Sequence, residues 1–124
     1  MSAEIVDTAN NTVTLKITGK LDQSDLLAAQ QQAIEILQKE GNPRRESKKH
    51  LLVIAENFQG WGKGDWGDLS GQMMMDPYID KMAIVGDRKW ESLTLLFTGK
   101  GIRRLPIEFF PPAELAKAQT WLNA

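Results

Sequence analysis

An α/β fold is predicted: a single domain on a mixed, mostly parallel five-stranded sheet with flanking helices. Three observations carry it. Short apolar runs alternate with amphipathic stretches of helix length. Two of those runs, Leu51-Leu52-Val53-Ile54-Ala55 and Met82-Ala83-Ile84-Val85, show no polar alternation, as expected of central strands covered on both faces. Near the N-terminus, by contrast, Thr12 to Thr18 alternates without error and has a partner across a turn, which supplies an antiparallel member. The expected order is β-β-α-β-α-β-α-β-α, with residues 1–124 forming one domain.

Each element has its own signal. Val13, Leu15 and Ile17 face one way, and Thr12, Thr14, Lys16 and Thr18 the other, as in a half-covered strand. Ala3 to Asp7 pairs with it across Asn10-Asn11, residues that tolerate positive φ, so the hairpin belongs at or near a sheet edge. Gly19 breaks the strand. Asp22 begins a helix with Asp25 in its first turn, and Leu26, Ala29, Ala33, Ile34 and Leu37 form the buried stripe. Gly41-Asn42-Pro43 stops it, and Arg44 to Lys49 is a polar connector. Asp65 is placed to cap a helix with Trp66, Leu69 and Met73 on one face, ended by Asp76-Pro77. Asp87 caps a third helix bearing Trp90, Leu93 and Phe97, closed by Gly99 or Gly101. Leu105 to Phe109 is the last strand, because Pro106 is tolerated only at an edge or a start. Pro111-Pro112 then opens a final helix with Leu115, Ala118 and Leu122 inward.

Composition removes several function classes. Fifteen Lys and Arg against sixteen Asp and Glu leave a net charge of −1, which offers no general attraction to nucleic acid or anionic membranes. With no cysteine there is no disulfide, thiolate catalysis or Cys-ligated zinc. Met1 to Ile5 has neither a basic start nor an apolar run, and the longest apolar run falls far below a membrane span. The expectation is a cytoplasmic protein with no transmembrane segment. His50 is the only histidine, so it cannot assemble a metal site, and nothing places a serine beside it for a triad.

Gly62-Lys63-Gly64-Asp65-Trp66-Gly67 formally matches G-x-G-x-x-G, with Asp87 twenty residues beyond the last glycine. The run does not follow its strand directly, however, and Trp66 would crowd a pyrophosphate. A flexible loop entering a helix is the simpler reading, with weak anion binding at the helix start kept open. Gly60, Gly62 and Gly64 would also permit a lid. Glu56, Asn57 and Asp87 fall at strand ends where α/β sheets bind ligands, yet a helix cap and a solvated strand end explain them more simply than an acid/base pair. Arg44, Arg45, Lys48 and Lys49 form the one basic cluster, read as a solvated connector.

Trp61, Trp66, Met73, Met74, Met75, Trp90 and Leu95 are the stronger lead as ligand-binding residues. At about 100° per residue, Trp66, Leu69 and Met73 share one face while Met75 lies roughly opposite. Leu95 sits about 140° round from Trp90. Core filling accounts for most of these side chains, and the surplus calls for an apolar ligand pocket or a subunit contact.

Gly19-Lys20-Leu21, Phe58-Gln59-Gly60-Trp61 and Met82-Ala83-Ile84-Val85-Gly86-Asp87 followed by Trp90 come in a distinctive order. Phe109 before a Pro-opened helix, and Ala118 with Trp121-Leu122, complete the set. Together these resemble the SpoIIAA-like family of small bacterial proteins, related in fold to STAS and CRAL-TRIO domains. The resemblance covers nearly the whole chain and implies a binding or regulatory role rather than catalysis. One departure stands out. The family's sporulation members are switched by phosphorylation of a serine just after the third strand, and here no Ser or Thr occurs from Leu51 to Leu69. Ser70 lies inside the following helix.

Two functions follow as expectations. The first is a non-enzymatic module, without cofactor or metal, that holds an apolar or amphipathic small molecule such as a lipid. The second is an interaction module that forms a homodimer or binds a protein partner, with no small ligand and no phosphoserine switch.

Overall fold

The computed structural model describes residues 2–8, 11–40, 49–101, 103 and 105–124. In chain order the elements are β1 (Ala3–Asp7), β2 (Thr12–Leu21), α1 (Gln23–Glu40), β3 (Lys49–Trp61), α2 (Ser70–Met73), β4 (Ile79–Val85), α3 (Glu91–Thr98), β5 (Ile107–Phe110) and α4 (Leu115–Leu122). That is the expected order. The strands make one sheet, β1-β2-β3-β4-β5, in which only the β1–β2 pair is antiparallel. Every crossover steps to the next strand in the same direction, so right-handed connections put α1, α2 and α3 on one face. The other face is covered by α4.

Two apolar clusters follow from this layering. Val13, Leu15, Ile17, Leu51, Val53, Ile79, Met82, Ile84, Ile107 and Phe109 meet Ala29, Ala33, Ile34 and Leu37 of α1. On the opposite face Leu52, Ala83 and Val85 meet Ala118 and Leu122 of α4. The α1 stripe and the α4 stripe are thus where periodicity puts them. Lys81 secures α4: its Nζ donates to the carbonyls of Trp121 (2.9 Å) and Ala124 (3.0 Å), a cation at the negative end of the helix.

Several boundaries differ from the sequence-based expectation. Thr12 and Thr14 are buried rather than solvated, because β2 lies inside the sheet and Thr14 pairs in register with Leu52 on the α4 face. Phe58-Gln59-Gly60-Trp61 belongs to β3 instead of a loop after it. The β3 strand continues past Ala55 through a bulge in which residues 57–59 oppose Gly19 alone, with Asn57 at φ 49° and Gly60 at φ 103°. The helix expected from Asp65 to Asp76 shrinks to four residues, followed by a 3-10 turn over Asp76–Tyr78. Gly67 and Gly71 are poor helix formers, and Asp65 closes a local turn by accepting the Gly67 amide (3.2 Å). The last strand starts at Ile107, two residues after Leu105.

At the third helix the capping signals hold, since Asp87 Oδ1 accepts the Lys89 amide (3.0 Å) and Gly99 is left-handed at φ 78°. The expected inward face does not hold at Leu93, which is 44 % exposed, whereas Leu95 packs against the core. Residues Arg88–Trp90 form a 3-10 turn, so a 100° projection from Trp90 is out of phase with the α-helix that begins at Glu91. Gly41-Asn42-Pro43, Asn10 and the basic residues Arg44, Arg45 and Lys48 lie outside the described residues.

Candidate functional site

The crossover between β3 and β4 contributes only the one-turn α2, and this opens a gap in the helical layer between α1 and α3. Aromatic side chains occupy its margin. The β3 bulge turns Phe58 and Trp61 onto this face, where they meet Trp90 and Phe97 edge to face. Ring centroids are 4.9 Å apart for Phe58–Trp61, 5.2 Å for Phe58–Trp90, 5.7 Å for Trp61–Trp90 and 4.9 Å for Trp61–Phe97. Such pairs contribute about 0.5–1.5 kcal/mol each beyond their buried area, enough to hold the margin rigid. Gly60 is needed there because its φ of +103° strains any other residue, while a Cβ would meet the Trp90 ring only in ordinary contact.

Between this cluster, α1 and the sheet lies a cavity of about 80 Å³. Its floor is apolar, from Leu15, Ile17, Val53, Met82, Ile84 and Phe109. Leu26, Gln30 and Ala33 of α1 form one wall, and Trp90, Thr94, Phe97 and Thr98 the other. Trp66, Gln72 and Met75 close the side at α2, while Gly86 and the exposed Asp87 lie at the carboxyl end of β4. No Lys, Arg or His is among these lining residues.

The glycine-rich stretch forms the edge near α1 and is tied down, where a flexible loop was expected. Gln23 N donates to Lys63 O (2.9 Å), Asp65 N donates to Gln23 Oε1 (2.8 Å), and Gln23 Nε2 donates to Asp65 O (2.8 Å). Gly62 N donates to Leu21 O (2.6 Å), and Trp66 Nε1 to Gly62 O (3.0 Å). A Cβ on Gly62 would strike Asp22 Oδ1, and one on Gly64 would strike Gln23 Cβ. Close approach to the start of α1 therefore explains these glycines, and no phosphate cradle is needed. Beyond them Asp68 accepts the Ser70 amide (3.0 Å), and that bond, aided by the Ser70 hydroxyl, lowers the Asp68 carboxyl below its ordinary range.

Behind the α2 wall lies Arg103, whose side chain is wholly buried. Its Nε and Nη2 donate to Asp76 Oδ1 (3.0 and 2.5 Å), and its Nη1 to Gln72 Oε1 (3.2 Å) and Thr98 O (3.1 Å). Gln72 in turn donates Nε2 to Phe97 O (2.9 Å). One guanidinium thus joins α2, the following 3-10 turn and the end of α3, which frames the cavity. Among the described residues four polar lining groups have no hydrogen-bond partner: the Gln30 amide, the Thr94 hydroxyl and the indole N–H groups of Trp61 and Trp90. Gln30 is 5 % exposed, lines the cavity and makes no hydrogen bond to the described residues. Trp90 Nε1 is shielded from solvent with no partner among the described residues. Leaving such a donor unpaired costs about 1–3 kcal/mol.

Four of the seven candidate residues, Trp61, Trp66, Met75 and Trp90, line this cavity together. Met73 and Met74 do not; they are 45 % and 59 % exposed at the end of α2. Leu95 packs against the core without lining the cavity, and Met75, expected on the outer face of a longer helix, is buried in it. Sequence reasoning missed Gln30, Gln72 and Arg103, and used Phe58 and Phe97 only as fold markers. Glu56 is held by Lys16 (3.2 Å), and His50 Nδ1 lies 2.5 Å from Asp80 Oδ1. Among the described residues no cluster of His, Cys, Asp and Glu could hold a metal, and no helix is long and apolar enough to cross a membrane.

The sheet with three helices on one face and a terminal helix on the other defines an α/β domain of the STAS-like class, with an apolar cavity beneath its interrupted helical layer. The chain belongs to the SpoIIAA-like family, which it matches over residues 12–123. That membership fits a regulatory, protein-interacting module. No curated protein matches the chain.

Proposed function

We propose that this domain is a non-enzymatic binding module whose cavity holds an apolar or amphipathic small molecule. The observation that carries the reading is the cavity itself. It is about 80 Å³, floored by aliphatic side chains and rimmed by four interlocked aromatics. An engineered apolar cavity of roughly 150 Å³ accepts benzene, so about half that volume encloses a small group. Of a lipid, only the end of one chain would be enclosed.

Native mass spectrometry of gently purified protein, followed by solvent extraction, tests this. A discrete co-purifying mass released on denaturation is expected, and its yield should fall in a folded Trp66→Ala variant. A clean apo mass, with no change in tryptophan fluorescence on adding small hydrocarbons, would overturn it.

A second reading, an interaction module without small ligand, is favoured by Met73, Met74, Leu93 and Leu96. These are exposed on the helical layer, where α2 and α3 are joined through Gln72. Sedimentation separates the two readings. A dimer at micromolar concentration that Leu96→Glu dissociates supports the second, and a monomer argues against the homodimer.

A further inference from the structure

We infer that the cavity selects an uncharged small molecule carrying one hydrogen-bond acceptor, which accepts from the indole N–H of Trp90. The inference rests on the binding reading above and names the ligand's chemical class. Three observations converge on it.

The first concerns charge. None of the described residues lining the cavity carries a positive charge, and the nearest ionisable lining group is the carboxylate of Asp87. A carboxylate or phosphate moved into this space would lose its hydration with no cation in the lining to replace it, since Lys89 Nζ, 5.5 Å from the Trp90 ring centroid, lies outside that lining. An anionic group is therefore refused.

The second concerns the polar lining groups already in use. Gln72 spends its amide on Phe97 O and Arg103, Thr98 donates to Thr94 O (2.8 Å), and Asp87 accepts from Lys89 N. None of these asks for a ligand; the Thr94 hydroxyl and the Trp61 indole, which also line the cavity without a partner among the described residues, are not shut off from water.

The third is what remains. Trp90 Nε1–H is a donor shielded from water and without a partner, on a ring that lines the cavity. Gln30 in the opposite wall is also unengaged among the described residues, but its amide, unlike the indole, is not shut off from solvent. Buried donors in native structures are paired as a rule, so this one, on a ring that lines the cavity, indicates a missing acceptor. A pure hydrocarbon would fill the volume and leave the indole donor unsatisfied. A ketone, ester or alcohol of similar size would fill it and satisfy the indole.

The test uses three isosteric probes small enough for the cavity, isobutene, acetone and acetate. Each is titrated into the ¹⁵N-labelled full chain while the indole N–H resonances of its four tryptophans are followed. Acetone should bind about threefold to tenfold tighter than isobutene, the range one net hydrogen bond allows. It should also move the Trp90 resonance, which isobutene should not, and the carboxylate should bind weakest. Trp90→Phe should remove the preference for the ketone, read as the ratio of ketone to hydrocarbon affinity on the same variant. A ketone that binds no better than the hydrocarbon overturns the inference and leaves the cavity reading standing. So does a preference that survives Trp90→Phe, or one lost only in Gln30→Leu. If the Phe variant does not fold, the wild-type Trp90 resonance decides, since a ketone that leaves it unmoved refutes the assignment. If none of the probes perturbs any lining residue, the binding reading fails and the inference fails with it.

Discussion

Replacing Arg103 by methionine would keep most of the side chain's volume and remove its charge and donors. The guanidinium is fully buried and makes contacts to Asp76, Gln72 and Thr98 between 2.5 and 3.3 Å. Breaking a buried ion pair from one side costs about 3–5 kcal/mol when the other charge is stranded. Asp76 keeps 25 % of its side-chain exposure and regains some hydration, which places the loss near the lower end, about 3 kcal/mol. At about 2.1 cal/mol/K per residue, the unfolding entropy of a 124-residue chain is roughly 260 cal/mol/K. The melting temperature should therefore fall by about 12 °C. Calorimetry, together with urea denaturation followed by tryptophan fluorescence, measures it. Arg103→Lys, which keeps the charge without the planar fork, should lose less, and Asp76→Asn added to Arg103→Met should recover part of the loss. A shift under about 3 °C for Arg103→Met, or no recovery in the double variant, would refute the claim that this pair organises the helical layer.

Other expectations test separate parts of the fold. Gly64→Ala should destabilise by about 1–3 kcal/mol, read from the urea midpoint, because φ is +145° and the new methyl would meet Gln23. Lys81→Met should cost about 1 kcal/mol and fray α4, seen as faster amide exchange near Trp121, since it removes the cation from the helix end. The hydroxyl and amide of Ser2 donate to Asp25 Oδ2 (2.7 and 3.0 Å) and hold its carboxyl below the ordinary aspartate range. The anchoring of β1 on α1 is then complete above the unfolded-state value, and is lost as the pH falls below about 4. Ser2→Ala should raise the Asp25 titration midpoint in a carbon-detected NMR series, and an unchanged midpoint would rule out the contact.

What could be read from the sequence was whatever is decided locally. The runs at Leu51 and Met82 announce strands because burial on both faces permits no polar alternation. Asp87 and Gly99 announce helix ends because each satisfies backbone groups within a turn. The cavity was legible in part, through the tryptophans of Phe58-Gln59-Gly60-Trp61 and Asp87 to Trp90, since large aromatics that exceed the core's needs must go somewhere. Met73 and Met75 exchanged places because their sides were assigned on a helix that the glycines cut to four residues. Leu93 and Leu95 did the same because a 3-10 turn shifts the phase ahead of α3. Arg103 left no trace in any local pattern. Its burial depends on Asp76 and Gln72, 27 and 31 residues away in the chain.

The strand order β1-β2-β3-β4-β5 also bears on how the chain reaches this structure. Each strand lies beside the one made just before it, so pairing never waits for a distant segment, and loop-closure entropy stays low for a mainly parallel sheet. During synthesis from the N-terminus, the face under α1 and α3 can close progressively. The opposite face cannot: Leu52, Ala83 and Val85 stay bare until Ala118 and Leu122 arrive with α4. Until then the growing chain carries an open apolar strip, the kind of surface that recruits chaperones or drives aggregation. Deleting residues 115–124 should accordingly yield a chain that pairs its strands yet collects in the insoluble fraction.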